Sequence, residues 1–168
     1  MTATLINTQD PNFSLRIAIP DDAALIVSFM KKLGAFQKME DEIIATPERI
    51  ERLLKSGQGE VVFGIYNGEV VSFAYFHEKS SAFTGRSGLY IDGFLVDESM
   101  RGRGLGKILM CFLSKLAIER GCEMLEWGCL DWNTPAIDFY GKLGAYCIDT
   151  MRVYRLSPDD LIAHADQF

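Results

Sequence analysis

The sequence has little positive charge, few histidines and no long apolar run. Its 168 residues carry 17 Lys and Arg against 23 Asp and Glu, a net charge of −6. A domain that binds nucleic acid or an anionic membrane surface needs a basic footprint, so we expect neither partner. No stretch approaches the roughly 18 apolar residues of a membrane span. The first residues show no basic segment followed by an apolar one, so we expect no secretory signal and a cytoplasmic location.

Metal-ligand spacing is also missing. Histidine occurs only twice, and no Cys-x-x-Cys pair exists among the four cysteines, Cys111, Cys122, Cys129 and Cys147. We therefore expect no metal site, and we interpret the cysteines as free thiols of a reducing compartment. What the chain does have is an ordinary globular composition, 48% hydrophobic and 24% charged. Its length is typical of a single domain.

Periodicity predicts one mixed α/β domain over residues 14–168, after a polar, loose N-terminal arm at residues 1–13. Strands are predicted at 15–19, 61–66, 70–77, 88–96, 124–129 and 151–156, and Asn67-Gly68 is a hairpin signal. Helices are predicted from Pro20 to a stop at Gly34, then over about 47–56, 105–120 and 134–143, and after Ser157-Pro158. A meander followed by a strand–helix–strand unit predicts a central mixed sheet of about six or seven strands flanked by helices.

A Gly-rich loop follows the strand that ends at Val96. Glycines alternate at 102, 104 and 106, just before a helix, where backbone amides can approach a ligand and the helix start attracts an anion. The spacing matches neither the Walker loop nor the dinucleotide fingerprint. The segment therefore predicts a cradle for a diphosphate, to which Arg101, Arg103 and Lys107 add charge. The alternative is a Gly-rich turn that binds nothing.

Two motifs resemble a known family. Arg101-x-x-Gly104-x-Gly106 resembles the acyl-CoA diphosphate loop of the GNAT superfamily of N-acetyltransferases. The segment from Asn133 through Tyr140 to Gly144-Ala145 resembles the second motif of that superfamily. Within it, Trp132-Asn133-Thr134-Pro135 is similar to the diamine (spermidine/spermine) and thialysine acetyltransferases, as are Arg16-Ile17-Ala18 and Met39-Glu40-Asp41-Glu42.

The resemblance spans about residues 15–160 and carries expectations of its own. It implies a GNAT-like acyl-CoA N-acyltransferase fold and acetyl-CoA as the co-substrate. The implied reaction is acetyl transfer to a primary amine of a small molecule, such as a diamine, a polyamine or a thialysine-like amino acid. It also implies a homodimer with residues 151–156 near the interface.

Acetyl transfer to an amine needs one proton removed from the ammonium and one returned to the departing thiolate. The resemblance puts Tyr140 next to the thioester sulfur as the acid, although spacing alone favours a core tyrosine beside Phe139. Asp92 lies in a strand that is apolar on both faces, where a carboxylate is costly unless it is paired or useful. We predict that Asp92 is the base, acting through a water; the alternative is a carboxylate satisfied by nearby backbone or an arginine.

The neighbouring Gly93 predicts a bulge or the close approach of another group. Polyamine acetyltransferases carry an acidic pair at this place, whereas this chain has Asp92-Gly93. This difference weakens the case for a polyamine as the acceptor. The case for an acceptor with an amino group in general is unaffected.

The remaining contacts follow from the loop and the resemblance. Asn133 is expected to hydrogen-bond pantetheine, to cap a helix, or both. The full set of predicted acetyl-CoA contacts is Phe94, Leu95, Val96, Arg101, Gly102, Arg103, Gly104, Leu105, Gly106, Lys107, Asn133 and Tyr140. The predicted acceptor contacts are Glu40, Asp41, Asp92 and Trp132, with a solvated acidic face as the alternative for the first two.

Two other functions stay open. One is an acetyltransferase for a protein or antibiotic amine; the absence of an added recognition segment argues weakly against a protein acceptor. The other is an acyl-CoA-binding protein without turnover, which the presence of both Tyr140 and Asp92 disfavours.

Overall fold

The computed structural model describes residues 4–167 and divides the chain into two compact units, the first ending at Asp131 and the second beginning at Trp132. This boundary lies inside the segment 14–168 that we predicted to be one domain. Within residues 4–167, every helix falls short of the length and apolar character that a membrane crossing requires.

The first unit is built on a six-stranded mixed sheet, which confirms the predicted fold class. The strands are β1 (Leu5–Asn7), β2 (Phe13–Ile17), β3 (Glu60–Tyr66), β4 (Glu69–Ser80), β5 (Ser87–Val96) and β6 (Met124–Trp127). They lie in chain order, with antiparallel pairing from β1 to β5 and parallel pairing between β5 and β6. The helices of this unit are α1 (Ala23–Gln37), α2 (Pro47–Ser56) and α3 (Leu105–Glu119).

The helices of the first unit cover opposite faces of the sheet. Phe29 of α1 packs against Phe63 and Phe73, with ring centroids 6.1 and 5.4 Å away, in a core that also includes Tyr75. The next residue, Phe76, lies 6.0 Å below the guanidinium of Arg120 at the end of α3. Because successive strand residues point to opposite faces, α1 and α3 lie on different sides of β4.

The N-terminal segment differs from the loose arm that we predicted. Leu5 and Asn7 pair with Arg16 and Ser14 in the β1–β2 ladder, and Phe13 is a fully buried strand residue. The polar composition of this segment obscured Leu5–Asn7, three residues that suffice for a short edge strand. Residues 1–3 of the predicted arm lie outside the described part of the chain.

The predicted stop of α1 at Gly34 is wrong. The helix continues to Gln37 and ends at Lys38, which adopts a left-handed conformation with φ of 57°. A Cβ on Gly34 would lie 2.6 Å from the Ile43 side chain. Gly34 therefore gives room to the chain that folds back after the helix, and it does not terminate the helix.

The second unit consists of α4 (Thr134–Lys142), α5 (Pro158–Ala165) and the segment between them. The strand predicted over 151–156 is absent from the described residues, where this segment has no regular structure. Its alternating apolar residues suit a half-buried strand, but β-propensity depends on context and a strand needs a neighbour to pair with. Strand β6 is also shorter than the predicted 124–129 and ends at Trp127.

An ion pair fixes the entry into α1. Both guanidinium nitrogens of Arg16 donate to the Asp22 carboxylate, at 2.7 and 2.9 Å, and the Ile19 amide donates to the same carboxylate at 2.8 Å. Partial burial by itself raises the pKa of Asp22, but the hydrogen bonds from Arg16 and Ile19 together lower that pKa below its ordinary value. The pair therefore stabilises the folded chain while Asp22 is ionised.

We expect Asp22→Asn to lower the free energy of unfolding by about 2 kcal/mol near neutral pH, because it breaks a bidentate charged contact. The difference is present above about pH 4, the pKa range of Asp in an unfolded chain. It disappears as the pH falls through the lower folded-state pKa, since the wild-type carboxyl is then protonated as well. Urea denaturation across this pH range measures the effect.

The exposed neighbour provides the control, as Asp21→Asn keeps the pair intact. A difference between wild type and Asp22→Asn that stays constant down to acidic pH would contradict the assignment.

Candidate active site

The Gly-rich loop leads directly from β5 into α3. Gly102 and Gly104 have φ of 77° and 80°, a left-handed conformation that glycine adopts readily. Gly104 occupies the N-cap position, and no side chain within residues 4–167 caps this helix. The side chain of Leu105 is buried in the core and anchors the start of the helix. The amides of the first turn of α3 are thus available to an external anion.

The positive side chains of the loop have distinct surroundings. The Arg101 Nε donates to the Val96 carbonyl oxygen at 3.1 Å, and its guanidinium lies 4.6 Å from the centroid of the Phe36 ring. The Arg103 guanidinium lies 5.6 Å from the centroid of the Tyr66 ring. Arg101 therefore joins the loop to the end of β5 and to α1, a contact that the sequence did not predict.

The parallel pairing of β5 with β6 stops halfway along β5. The ladder runs from Gly88 opposite Met124 to Ile91 opposite Trp127. Beyond Ile91, β5 continues to Val96 while still paired with β4 on its other side. Among residues 4–167 no strand pairs with this second edge beyond Ile91, so the backbone of Phe94, Leu95 and Val96 has no strand partner on that side.

Asp92 lies where β5 leaves β6. In the β4–β5 ladder Tyr75 is opposite Gly93 and Phe76 is opposite Ile91, so Asp92 is the extra residue of a β-bulge. A Cβ on Gly93 would lie 3.3 Å from the Phe73 ring and 3.6 Å from Leu33. The predicted bulge and the predicted close approach are both confirmed. The bulge leaves the Asp92 side chain exposed at the fork between the two strands.

Tyr75 is a neighbour of Asp92 that sequence reasoning missed. Its side chain is buried, and its hydroxyl fills the space that a Cβ on Gly59 would need. Burial raises the pKa of the Tyr75 phenol above its ordinary value, and the negative charge of Asp92 raises it further. The register between β4 and β5 brings Tyr75 next to Asp92. That register depends on where the loop between the two strands begins and ends, which the sequence does not specify.

The predicted acceptor acids lie on a short turn after α1. Glu40, Asp41 and Glu42 form a single 3₁₀ turn, and all three are exposed. Earlier in α1, Leu33 approaches Gly93 beside Asp92. The acidic turn therefore follows the end of a helix that touches the bulge, and the chain after the turn returns to Gly34 of that helix.

In the second unit, Asn133 caps α4. Its side-chain oxygen accepts a hydrogen bond from the Ala136 amide at 3.4 Å, which confirms the capping role. Tyr140 lies within α4, and its ring centroid is 5.4 Å from that of Phe139. Trp132 is half exposed, at 48%. The signals that predicted α4, Asn133 followed by Thr134-Pro135, are those of a helix start.

Known protein sequences resemble this chain over most of its length. The sequence profile of the acetyltransferase (GNAT) family matches residues 27–145. The chain is similar to the L-ornithine N5-acetyltransferase of Arabidopsis thaliana, with 33% identity over 71% of this chain and 49% of that protein. It is also similar to the thialysine N-epsilon-acetyltransferase of Caenorhabditis elegans, with 27% identity over 77% of this chain and 80% of that protein. The chain thus spans about half the length of the plant relative and most of the nematode one.

Solved structures show the same fold. An aminoglycoside acetyltransferase from an uncultured soil metagenomic sample superposes with a TM-score of 0.76 at 18% identity, over 89% of this chain and all of that one. An integron cassette protein of Vibrio cholerae superposes with a TM-score of 0.72 at 23% identity, over 92% and 98% of the two chains. At these identities the likeness concerns the fold alone.

We expect Asp92→Asn to lower the pKa of the Tyr75 phenol, because the substitution removes the nearby negative charge. The pKa stays above the ordinary value of about 10, since burial is unchanged. The absorbance of phenolate as a function of pH measures the shift, with Tyr75→Phe identifying the signal. Asp97→Asn, at the far end of β5, is the control, and an unshifted Tyr75 titration in Asp92→Asn would refute the interaction.

Proposed function

The chain belongs to the acetyltransferase (GNAT) family, and on this premise we propose that it transfers an acetyl group from acetyl-CoA to a primary amine of a small molecule. One observation carries the proposal above the others. The open amides at the start of α3, the uncovered edge of β5 and the bulged Asp92 follow one another along a single continuous segment. A donor with a diphosphate, an extended arm and a reactive end needs those features in that order.

The donor binds along this segment. The amides of Leu105, Gly106 and Lys107 hold the diphosphate, with Gly102 and Gly104 shaping the loop and Arg103 and Lys107 supplying charge. Arg101 positions the loop through its contact with the Val96 carbonyl. Phe94, Leu95 and Val96 pair through their backbone with the pantetheine arm, and Asn133 adds a side-chain hydrogen bond to it.

The acceptor must lose a proton before it can attack. An alkylammonium with a pKa near 10.4 lies roughly 3.4 units above neutral pH, so the free amine costs about 4.6 kcal/mol. Asp92, exposed at the fork, accepts this proton through a water molecule. The amine nitrogen then bonds to the thioester carbon, and the carbon–sulfur bond breaks. The nitrogen releases a second proton to solvent as the amide forms, and solvent later restores the proton that the acid gives to the thiolate.

The departing thiolate needs a proton in return. Tyr140 donates it from its phenol, whose ordinary pKa of about 10 is close enough to that of a thiol, about 8.5, for transfer at modest cost. In this proposal Asp92 is the base of the reaction and Tyr140 is its acid.

The acceptor is a small cationic amine. The curated relatives are named for ornithine and thialysine, both amino acids with a terminal primary amine. Glu40 and Asp41 attract the cation on its approach, and Trp132 adds an aromatic wall on which a cation can lie. The protein functions as a cytoplasmic homodimer in which residues 151–156 contribute to the interface, in keeping with the resemblance described for the sequence.

A panel of amines tests the reaction. We expect release of free thiol from acetyl-CoA in the presence of ornithine, thialysine or a diamine, and none without an amine. Mass spectrometry of the product should show one added acetyl group on nitrogen. Binding of acetyl-CoA without turnover across the whole panel would point to a non-catalytic acyl-CoA-binding protein.

We expect Tyr140→Phe to lower kcat by about 10²-fold or more, because the thiolate loses its proton donor. The dissociation constant of acetyl-CoA, measured by calorimetry, should change far less than kcat, because the phenol contributes mainly to the chemical step. Tyr146→Phe, outside α4, serves as the matched control. An unchanged kcat in Tyr140→Phe would remove this residue from the mechanism.

A further inference from the structure

A cluster of side chains outside the residues discussed so far lies across β4, β5 and β6. The Lys79 ammonium lies 5.4 Å from the centroid of the Tyr90 ring and forms an ion pair with Glu126. The His77 ring also lies beside Tyr90, with centroids 5.5 Å apart. The Tyr90 hydroxyl reaches past β6, to 3.4 Å from the position of a Cβ on Gly128. We refer to Lys79, Tyr90 and Glu126 as the Tyr90 shelf.

The shelf lies on the same face of the sheet as Asp92. Tyr90 is directly opposite His77 on β4 and Glu126 on β6, and paired residues share a face. Lys79 lies two residues from His77 along β4, so alternation places it on that face as well. Tyr75 lies two residues from His77 in the other direction, and its phenol is affected by the charge of the bulged Asp92, which puts Asp92 on this side of the sheet. The distance along β5 from Tyr90 to Asp92 is about 6.5 Å at the usual rise of a strand.

The ion pair of the shelf is free to exchange partners. The side chains of Lys79 and Glu126 are 36% and 33% exposed. A pair this accessible contributes at most about 1 kcal/mol to folding. A ligand that carries one negative and one positive group can therefore replace the single internal contact by two new ones, and all four charges remain paired.

The α-carbon of an amino acid presents this combination of charges. Its carboxylate matches Lys79, its ammonium matches Glu126, and its methylene chain can lie on the Tyr90 ring. Four or five bonds of about 1.5 Å each separate the α-carbon of an ornithine- or thialysine-type chain from its terminal amine, which spans about 5 to 6 Å when extended. This length carries the terminal amine from the shelf to Asp92.

We infer that Lys79 and Glu126 are specificity-determining residues that bind the α-carboxylate and α-ammonium of an ω-amino amino acid. The inference rests on the proposed function and narrows its substrate class. The ammonium of a simple diamine can pair with Glu126 in place of Lys79. Lys79 then has no carboxylate to pair with, because the diamine carries none. The shelf therefore favours amino acids over diamines of the same length.

Three acceptors of matched length separate the two contacts. L-Ornithine carries both α-groups, 1,4-diaminobutane lacks the carboxylate, and 5-aminopentanoate lacks the α-ammonium. For wild type we expect kcat/KM to be highest for ornithine, by about tenfold or more over either analogue, because each analogue leaves one charged side chain of the shelf without its partner on the ligand.

Variants of the shelf should respond differently to the three acceptors. Lys79→Met lowers kcat/KM about tenfold for ornithine and 5-aminopentanoate, mainly through KM, and does not lower it for 1,4-diaminobutane. Glu126→Gln lowers kcat/KM for ornithine and 1,4-diaminobutane by a similar factor and leaves that for 5-aminopentanoate unchanged. Lys79→Arg, which keeps the cation, restores much of the preference for ornithine.

The control is Lys115→Met, which removes an exposed lysine paired with Glu119 on α3 and should change none of the ratios. If Lys79→Met alters all three acceptors by the same factor, or leaves ornithine unchanged, the shelf has only a structural role and the inference is wrong. Wild-type turnover of 1,4-diaminobutane or 5-aminopentanoate but not of ornithine or thialysine overturns it as well. An absence of turnover with every amine, despite acetyl-CoA binding, instead overturns the proposed function on which it rests.

Discussion

The early end of the ladder between β5 and β6 is the constraint on which the candidate site depends. A parallel pair that continued to Val96 would use the backbone groups of Phe94 to Val96 internally. Because β6 ends at Trp127, those groups keep one free edge at the place where the chain enters the Gly-rich loop. The bulge at Asp92 occurs at the same point and turns a carboxylate toward the opening.

Helix α1 connects this opening with the acidic turn. Lys32 donates to both carboxylate oxygens of Asp97, at 3.0 and 3.1 Å, and Phe36 lies under the Arg101 guanidinium. Both contacts join the helix to the start of the Gly-rich loop. Asp97 is further held by its amide, which donates to the Val71 carbonyl at 2.8 Å. The loop is therefore supported by the sheet on one side and by α1 on the other.

Local signals in the sequence predicted most of the fold. Asn67-Gly68 forms the expected hairpin turn with positive φ at both residues, and α2 covers the predicted range 47–56, with Thr46 and Gly57 at its two caps. These signals act over a few residues, so spacing is enough to read them. Gly34, the Tyr75–Asp92 interaction and the Lys79–Glu126 pair escaped prediction because each depends on the register of distant segments. A glycine can end a helix or make room for a neighbour, and only the folded chain decides between these.

The short strand β1 has a consequence for the solution behaviour of the protein. By pairing with Leu15 and its neighbours, it occupies backbone groups of β2 that would otherwise be available to another molecule. An exposed edge strand can pair with a strand of another molecule. Because β1 has only three residues, it offers a much shorter edge for such pairing than β2 would. Proteolytic removal of β1 would therefore expose the edge of β2. The trimmed protein would then be prone to aggregate through that strand.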